Sequence, residues 1–262
     1  MDVTCNGVRI VYDELGAGEP AFLCMPGWCE PRTAFDRLAP LLVRSKRTIV
    51  IDWTGQGDSG RAEGGATAKG WLANAIAVVE ETRVESVIPV AISNGGRVAI
   101  ELRRVLGPRV TKLIHTDWNF ILDPPASYRE ALVRFQDPDH WAASRDGLFT
   151  TWIARSTDAA LMAHIRGEMG AFRFDDWALA MREIGAAYDT HGNPLQHLAS
   201  LDPPVPAIHL YTQPRTKKYG EGQEAFAREN SWFRPRLMNA VSYFPTVDGA
   251  EEVAKLILDF VS

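Results

Sequence analysis

The residue of this 262-residue chain best placed to do chemistry is Ser93, in Val90-Ala91-Ile92-Ser93-Asn94-Gly95-Gly96. An apolar run that ends in small-x-Ser-x-Gly and then starts a helix reads as a nucleophile elbow, a tight strand-to-helix turn that needs small neighbours and pushes the central side chain into a cleft. The same turn aims the amide of Asn94 at that cleft, where the Trp28 amide of Pro26-Gly27-Trp28 could join it as an oxyanion hole. A nucleophilic Ser needs a base, ordinarily a His later in the chain. No His lies beyond residue 209, so Ser93 is read as a hydrogen-bonding group of the site rather than as a covalent nucleophile. Asp117, which ends the apolar stretch Leu113 to Thr116, would have its pKa raised if buried beside aromatic rings and would then be a possible base for an acidic phenol, unless it caps a neighbouring turn instead.

The elements that must position these groups alternate between strand and helix. Val8 to Glu14 alternates apolar and polar and is expected to start an antiparallel hairpin. Ala21–Met25, 48–51, 87–90 and 113–116 are short buried strands, and 33–43, 67–81 and 98–106 have helical spacing. Alternation at this spacing implies an α/β fold with a mostly parallel sheet. From Trp118 to Ser200 no β-branched run appears, and 148–154, 159–169 and 177–187 are helix-like. We therefore expect a core of 1–117 and 201–262 with a helical cap of 118–200 inserted above it. Strands at 205–211 and 237–241 and a helix at 249–261 close the chain.

Composition narrows the function. The chain is 46% hydrophobic and 23% charged, with 28 Lys and Arg against 33 Asp and Glu and a net charge of −5. No basic track points to nucleic acid. No stretch approaches the ~20 apolar residues of a membrane span, and the start of the chain lacks signal-peptide character, so a cytoplasmic protein is expected. Cys5, Cys24 and Cys29 lack a matching ligand set and read as buried thiols, with no metal expected. Trp28, Trp53, Trp118, Trp152 and Trp177 fall near strand ends or in the cap, and so many point to a flat aromatic ligand. His209 and His115 read as core histidines, and His140, His164, His191 and His197 as cap or surface residues.

Pro26-Gly27-Trp28, Asp52-x-x-Gly55-x-Gly57-x-Ser59 and the elbow at Ser93 resemble the α/β-hydrolase superfamily over nearly the whole chain. Met25-Pro26-Gly27-Trp28-Cys29, Thr116-Asp117-Trp118, Asp137-Pro138-x-x-Trp141, Gly147-Leu148-Phe149-x-x-Trp152 and Phe244-Pro245 are more specifically similar to the cofactor-free 2,4-dioxygenases of 3-hydroxy-4-oxoquinolines. The resemblance implies that a His supported by an acid deprotonates the substrate hydroxyl, and that the anion reacts directly with dioxygen. It implies that Ser93 holds that hydroxyl, Asp117 supports the base, the Trp28 amide polarises a carbonyl oxygen, and Trp152 and Trp177 wall the pocket. Three positions depart from the pattern. Tyr243 stands where the catalytic imidazole is expected, Ile92 and Asn94 replace His residues flanking Ser93, and Glu30 replaces a His after Pro-Gly-Trp-Cys.

A Tyr of pKa ~10 is about one part in 10³ ionised at pH 7, equivalent to roughly 4 kcal/mol against its use as a base. Tyr243 therefore reads as a binding or orienting group, donating to a substrate oxygen or pairing with Asp117, or as wall packing. Glu30 is either a solvated loop acid or, with Ile92, Trp152 and Trp177, part of the substrate site. The leading reading is an oxygenase without cofactor that takes a flat hydroxylated aromatic, heteroaromatic or polycyclic substrate as its anion, with dioxygen as co-substrate. A serine-type hydrolase or lyase of the same fold, and a non-catalytic binder of an aromatic metabolite, are the alternatives.

Overall fold

The computed structural model describes residues 1–118 and 121–262. Its centre is an eight-stranded sheet ordered β1-β2-β4-β3-β5-β6-β7-β8. The strands are β1 (Asp2–Cys5), β2 (Val8–Leu15), β3 (Ala21–Met25), β4 (Thr48–Ile51), β5 (Val87–Ile92), β6 (Leu113–Thr116), β7 (Ala207–Tyr211) and β8 (Phe233–Leu237). Only the β1–β2 and β2–β4 pairs are antiparallel; β4, β3, β5, β6, β7 and β8 run parallel to their neighbours. This is the α/β-hydrolase arrangement that the motifs imply.

The period-two pattern of the strands sorts side chains into two cores. On β3, Ala21, Leu23 and Met25 join the layer containing Trp53, Trp71 and Ala99, while Phe22 and Cys24 join the opposite layer with Phe35, Leu38 and Ile257. Both faces are covered, so β3 reads as a continuous apolar run. The helices α1 (Ala39–Leu42), α2 (Ala68–Glu81) and α3 (Gly95–Leu106) follow β3, β4 and β5. Between β6 and β7 lie α4 (Ala126–Arg134), α5 (Trp141–Ile153), α6 (Ala159–Met162), a π-helical turn Ala163–Glu168, α7 (Phe174–His191) and α8 (Pro194–Ala199). The chain closes with α9 (Lys217–Glu229) after β7, then α10 (Pro245–Asp248) and α11 (Ala250–Val261) after β8. A third apolar cluster, including Cys29, Phe149, Trp177, Tyr243 and Phe244, joins the inserted helices to the loops at the C-terminal ends of the strands. No helix among the described residues is long and apolar enough to cross a membrane.

Four local expectations change. The first hairpin joins β1 to β2, so Val8 to Glu14 lies in its second strand rather than starting it, and its turn is Asn6-Gly7 with φ of 50° and 77°, the positive-φ pair that two-residue hairpins use. The expected helix 33–43 splits into a 3-10 turn Arg32–Phe35 and the short α1, with Pro31 and Pro40 each opening a segment where a missing N–H does no harm. The last strand is β8, upstream of the expected 237–241. Arg234 and Arg236 interrupt its apolar pattern because it is a half-exposed edge strand with Pro235. Residues 238–244 are thereby released as the loop that carries Tyr243. Trp53 packs away from the candidate site, stacked on Trp71 at 5.0 Å.

Candidate active site

The turn from β5 into α3 is built for close approach. Ser93 has φ of 50°, a left-handed conformation that costs a non-glycine residue on the order of 1–3 kcal/mol. It is held by Ser93 N–H donating to Thr116 O at 3.0 Å and Gly96 N–H donating to Ser93 O at 3.0 Å. A Cβ on Gly95 would lie 2.7 Å from Pro26 O, and one on Gly96 would lie 2.5 Å from the Trp118 ring. The two glycines thus let the elbow sit against Met25-Pro26 and Trp118. Trp28 and Asn94 flank Ser93 at the cavity wall, and among the described residues neither backbone N–H donates to a protein acceptor. Both amides are available to a ligand oxygen.

Above the elbow lies a cavity of about 310 Å³, a size in the usual range for small-molecule sites. Nine of its lining residues are aromatic, and Glu30 is the single charged one among the described residues. Trp28, Ile92, Ser93, Asn94, Trp152, Trp177 and Tyr243 all reach this cavity, and Asp117 does not.

Tyr243 comes from the loop after β8. Its N–H donates to Trp152 O at 2.8 Å, and its ring stacks on Trp152 with centroids 5.1 Å apart and planes 7° apart. Its hydroxyl donates to Ser93 Oγ at 3.0 Å. Burial raises the phenol pKa well above its ordinary value, the bond to Ser93 opposes that, and the nearby Asp117 adds to it. Tyr243 is therefore a neutral donor, and it orients Ser93 so that the Ser93 proton is free for a ligand.

Asp117 sits beneath this layer with φ of 38° and no exposure. Its Oδ1 accepts from Thr212 N–H at 2.8 Å and Thr212 Oγ1 at 2.9 Å, while Oδ2 has no partner among the described residues. Burial raises its pKa well above the ordinary carboxylate range, against the opposing Thr212 bonds. The pairing of Tyr243 with Asp117 considered from sequence is not formed, because the phenol reaches Ser93 instead.

The arrangement that sequence reasoning missed surrounds Glu30. Cys29, with φ of 52°, turns the chain so that Glu30 faces inward at 1% exposure, not outward as a solvated loop acid. Gly27 N–H donates to Glu30 Oε2 at 2.5 Å, and Glu30 N–H donates to Gln56 Oε1 at 2.5 Å. His164 Nε2 lies 3.3 Å from Glu30 Oε1, and His164 Nδ1 lies 2.9 Å from Glu168 Oε2. His164, expected as a cap or surface residue, lies in the inserted helices but is buried there, and links them to the loop after β3. Burial acts to lower its pKa, but the bonds to Glu168 and Glu30 outweigh it and raise the value to about 9. It is an imidazolium at neutral pH. The one local signal was the four-residue spacing of His164 and Glu168, which on a helical turn brings the two together.

No histidine, His164 included, is among the described residues that line the cavity. His209 accepts from Trp118 N–H at 3.1 Å and meets Gln223 Oε1 at 2.6 Å; burial lowers its pKa to about 4, and that of His115 to about 3. His197, also expected as a cap or surface residue, lies in the inserted segment but is buried, and bonds Glu101 at 2.7 Å. Glu101, His191 and His197 bring three ligand atoms within 4.8 Å of one another. The two imidazoles stack at 4.0 Å and 11°, so their in-plane lone pairs run parallel rather than converging at the ~2.0–2.1 Å that a transition metal needs. Arg97 adds a positive charge 3.4 Å from His197 Nδ1, and the cluster does not fit a metal.

No family model matches the chain. The 2-heptyl-3-hydroxy-4(1H)-quinolone dioxygenase of Mycobacteroides abscessus is 32% identical over 262 residues, covering 99% of this chain and 97% of the relative. The 1H-3-hydroxy-4-oxoquinoline 2,4-dioxygenase of Pseudomonas putida is 32% identical over 267 residues, covering 100% and 99%. A solved complex of an AqdC variant with its substrate, from work on ring cleavage of the Pseudomonas quinolone signal, superposes with a TM-score of 0.94 at 31% identity, covering 99% of this chain and 98% of that one. Full-length similarity at this level, on the same scaffold, shows that the chain belongs to the 3-hydroxy-4-quinolone dioxygenase family, a group of oxidoreductases built on the α/β-hydrolase fold.

Proposed function

We propose that the protein is a cofactor-independent oxygenase that binds a flat, hydroxylated heteroaromatic or polycyclic compound as its anion and lets that anion react directly with dioxygen. The observation that carries this reading is the aromatic cavity over Ser93, in which, among the described residues, the one hydrogen-bond partner of Ser93 Oγ is a donor, Tyr243, and no imidazole touches it. That arrangement disfavours acyl transfer, which needs a base on the Ser hydroxyl. It suits an oxyanion: Ser93, polarised by Tyr243, and the Trp28 and Asn94 amides supply donors to a phenolate or enolate oxygen, and the indole walls supply stacking area.

In the reaction the substrate's O–H bond breaks, the proton passes to water or to a base of the cavity wall, the electron pair stays on the substrate, and the electron-rich ring is oxidised by dioxygen without an external reductant. The quinolones of the relatives define the starting chemistry. Tyr243 in place of an imidazole favours compounds that lose a proton near or below neutral pH, such as quinone-like phenols. The test is to incubate chelator-treated, flavin-free protein with 2-heptyl-3-hydroxy-4-quinolone and with hydroxylated naphthoquinones, following dioxygen uptake and anion absorbance. Uptake without added metal or flavin is expected. A requirement for either would overturn the reading.

A further inference from the structure

We propose that Glu30 is the group that takes the substrate's hydroxyl proton, with His164 as the positioning residue that fixes its carboxylate. The proposal rests on the oxygenase reading above and moves the proton acceptor from the loop after β8, where Tyr243 stands, to the loop after β3.

The other groups near the cavity are unsuited to the task. Tyr243 is a buried neutral donor to Ser93, and Asp117 is closed off beneath Thr212, outside the cavity wall. Glu30 is the remaining acid that reaches the cavity. Its carboxylate accepts from Gly27 N–H on one oxygen and from His164 on the other. An ionised carboxylate has about four acceptor sites, so those two bonds leave capacity for a substrate hydroxyl.

Its position fits the donors that would hold the product anion. A Cβ placed on Gly27 would lie 3.0 Å from Glu30 Oε2 and 3.6 Å from Ser93 Cβ. Glycine at this point keeps the space between the carboxylate and the Ser93 side chain open, so both can address one edge of a planar ligand.

The charge balance also closes. Glu30, His164 and Glu168 together carry one net negative charge with the imidazole protonated, as its raised pKa of about 9 requires at neutral pH. When the substrate O–H bond breaks and an O–H bond forms on Glu30, the negative charge moves from the carboxylate to the ligand oxygen. The His164 cation stays in place as the buried counter-charge. The Glu168 side chain, 42% exposed and bonded to Thr33 Oγ1, anchors the imidazolium from the solvent side. The proton held on Glu30 is available to return to the oxygenated intermediate.

The experiment is an anaerobic spectrophotometric titration at pH 7 with 2-heptyl-3-hydroxy-4-quinolone and a hydroxylated naphthoquinone, followed by turnover in dioxygen. Wild-type protein is compared with Glu30→Gln, Glu30→Asp, His164→Gln and His164→Leu. Glu30→Gln is expected to bind within a few-fold of wild type, to lose the anion band of the less acidic probe, and to drop in kcat by about 10²- to 10⁴-fold, the usual worth of a general base. Glu30→Asp, which keeps a carboxylate, is expected to retain part of that ionisation and serves where the Gln variant does not fold. His164→Gln keeps a donor to Glu30 and is expected to preserve kcat better than His164→Leu by about tenfold, with KM little changed in both. Wild-type ionisation and turnover in Glu30→Gln would overturn the assignment of Glu30, and equal kcat in the two His164 variants would overturn the positioning role. Wild-type protein that ionises neither probe and takes up no dioxygen would instead overturn the oxygenase reading, and this assignment with it.

Discussion

At the scale of single residues, the site differs from an ordinary elbow in what touches Ser93. The Tyr243 hydroxyl donates to Ser93 Oγ, so replacing Tyr243 with His would put a group of pKa ~6.5 beside the same oxygen and near Asp117, whose Oδ2 has no partner among the described residues. Tyr243→His is therefore expected to ionise weakly acidic phenols that the wild type binds protonated, seen as an anion band under anoxia. An unchanged spectrum would place Tyr243 outside the chemistry. Ser93→Ala removes one donor to the ligand oxygen and is expected to lower kcat by about 10²-fold, whereas a covalent serine probe should leave wild-type Ser93 unlabelled. His164 makes a prediction about pH. Its folded-state pKa is raised to about 9 from 6.5, so its contribution to stability is complete below pH 6.5 and disappears as pH rises through 9. The difference in unfolding free energy between wild type and His164→Gln should follow that window, at about 3 kcal/mol or less on its low-pH side. A difference that grows toward pH 9 would contradict the Glu30–His164–Glu168 array.

At the scale of elements, the elbow helix α3 and the cap helix α5 give opposite expectations for the same substitution. Gly96 in α3 faces the Trp118 ring at 2.5 Å from where a Cβ would sit, while Gly147 in α5 has nothing within 4 Å. Gly96→Ala should destabilise by about 1–3 kcal/mol through overpacking and disturb the amide of the adjacent elbow. Gly147→Ala should stabilise by up to ~1 kcal/mol, because alanine is the better helix former at an open position. Thermal unfolding of the two variants, with kcat measured on each, tests whether close packing of α3 on the loop after β6 sets the elbow geometry. Parallel Tm shifts of the same sign would refute that account. The loops at the strand ends were partly legible: Pro-Gly-Trp and the Asp52 loop announce tight turns, and Asp52 does hold its loop through the backbone N–H groups of Arg32 and Asp58. The 238–244 loop was not legible, since an edge strand carrying Arg234 and Arg236 looks like a connection and its successor looks like a strand.

At the scale of the whole molecule, the inserted helices are fastened to the core by Arg37–Asp158 at 2.6 Å and Arg61–Asp176 at 2.7 Å, by Glu183 accepting from Ala68 N–H at 2.7 Å, and by the buried His164–Glu30 contact. The two Arg pairs are half-exposed and each worth about 0–1 kcal/mol, so closure depends more on the apolar cluster around Phe149, Trp177 and Phe244. A planar ligand that completes this cluster should stabilise the fold by mass action, by about 2.7 kcal/mol at a hundredfold excess over Kd. An anaerobic thermal shift with acidic hydroxyquinolones or hydroxynaphthoquinones is expected to raise Tm by several degrees, and an aliphatic ester of similar size is expected to leave it unchanged. Stabilisation by the ester alone would favour the hydrolase alternative.

The sequence by itself determined the scaffold and the location of the pocket. Strand period, the glycines of the elbow and the prolines at the turns act between near neighbours, and near neighbours are what a linear reading sees. It also showed that no His lies beyond residue 209. Which side chains meet at the pocket was decided by tertiary structure alone. Tyr243 meets Ser93 across 150 residues and His164 meets Glu30 across 134, and no local propensity encodes such pairs. Burial then sets their charge: the low dielectric keeps Tyr243 neutral, while two carboxylates hold His164 protonated against it.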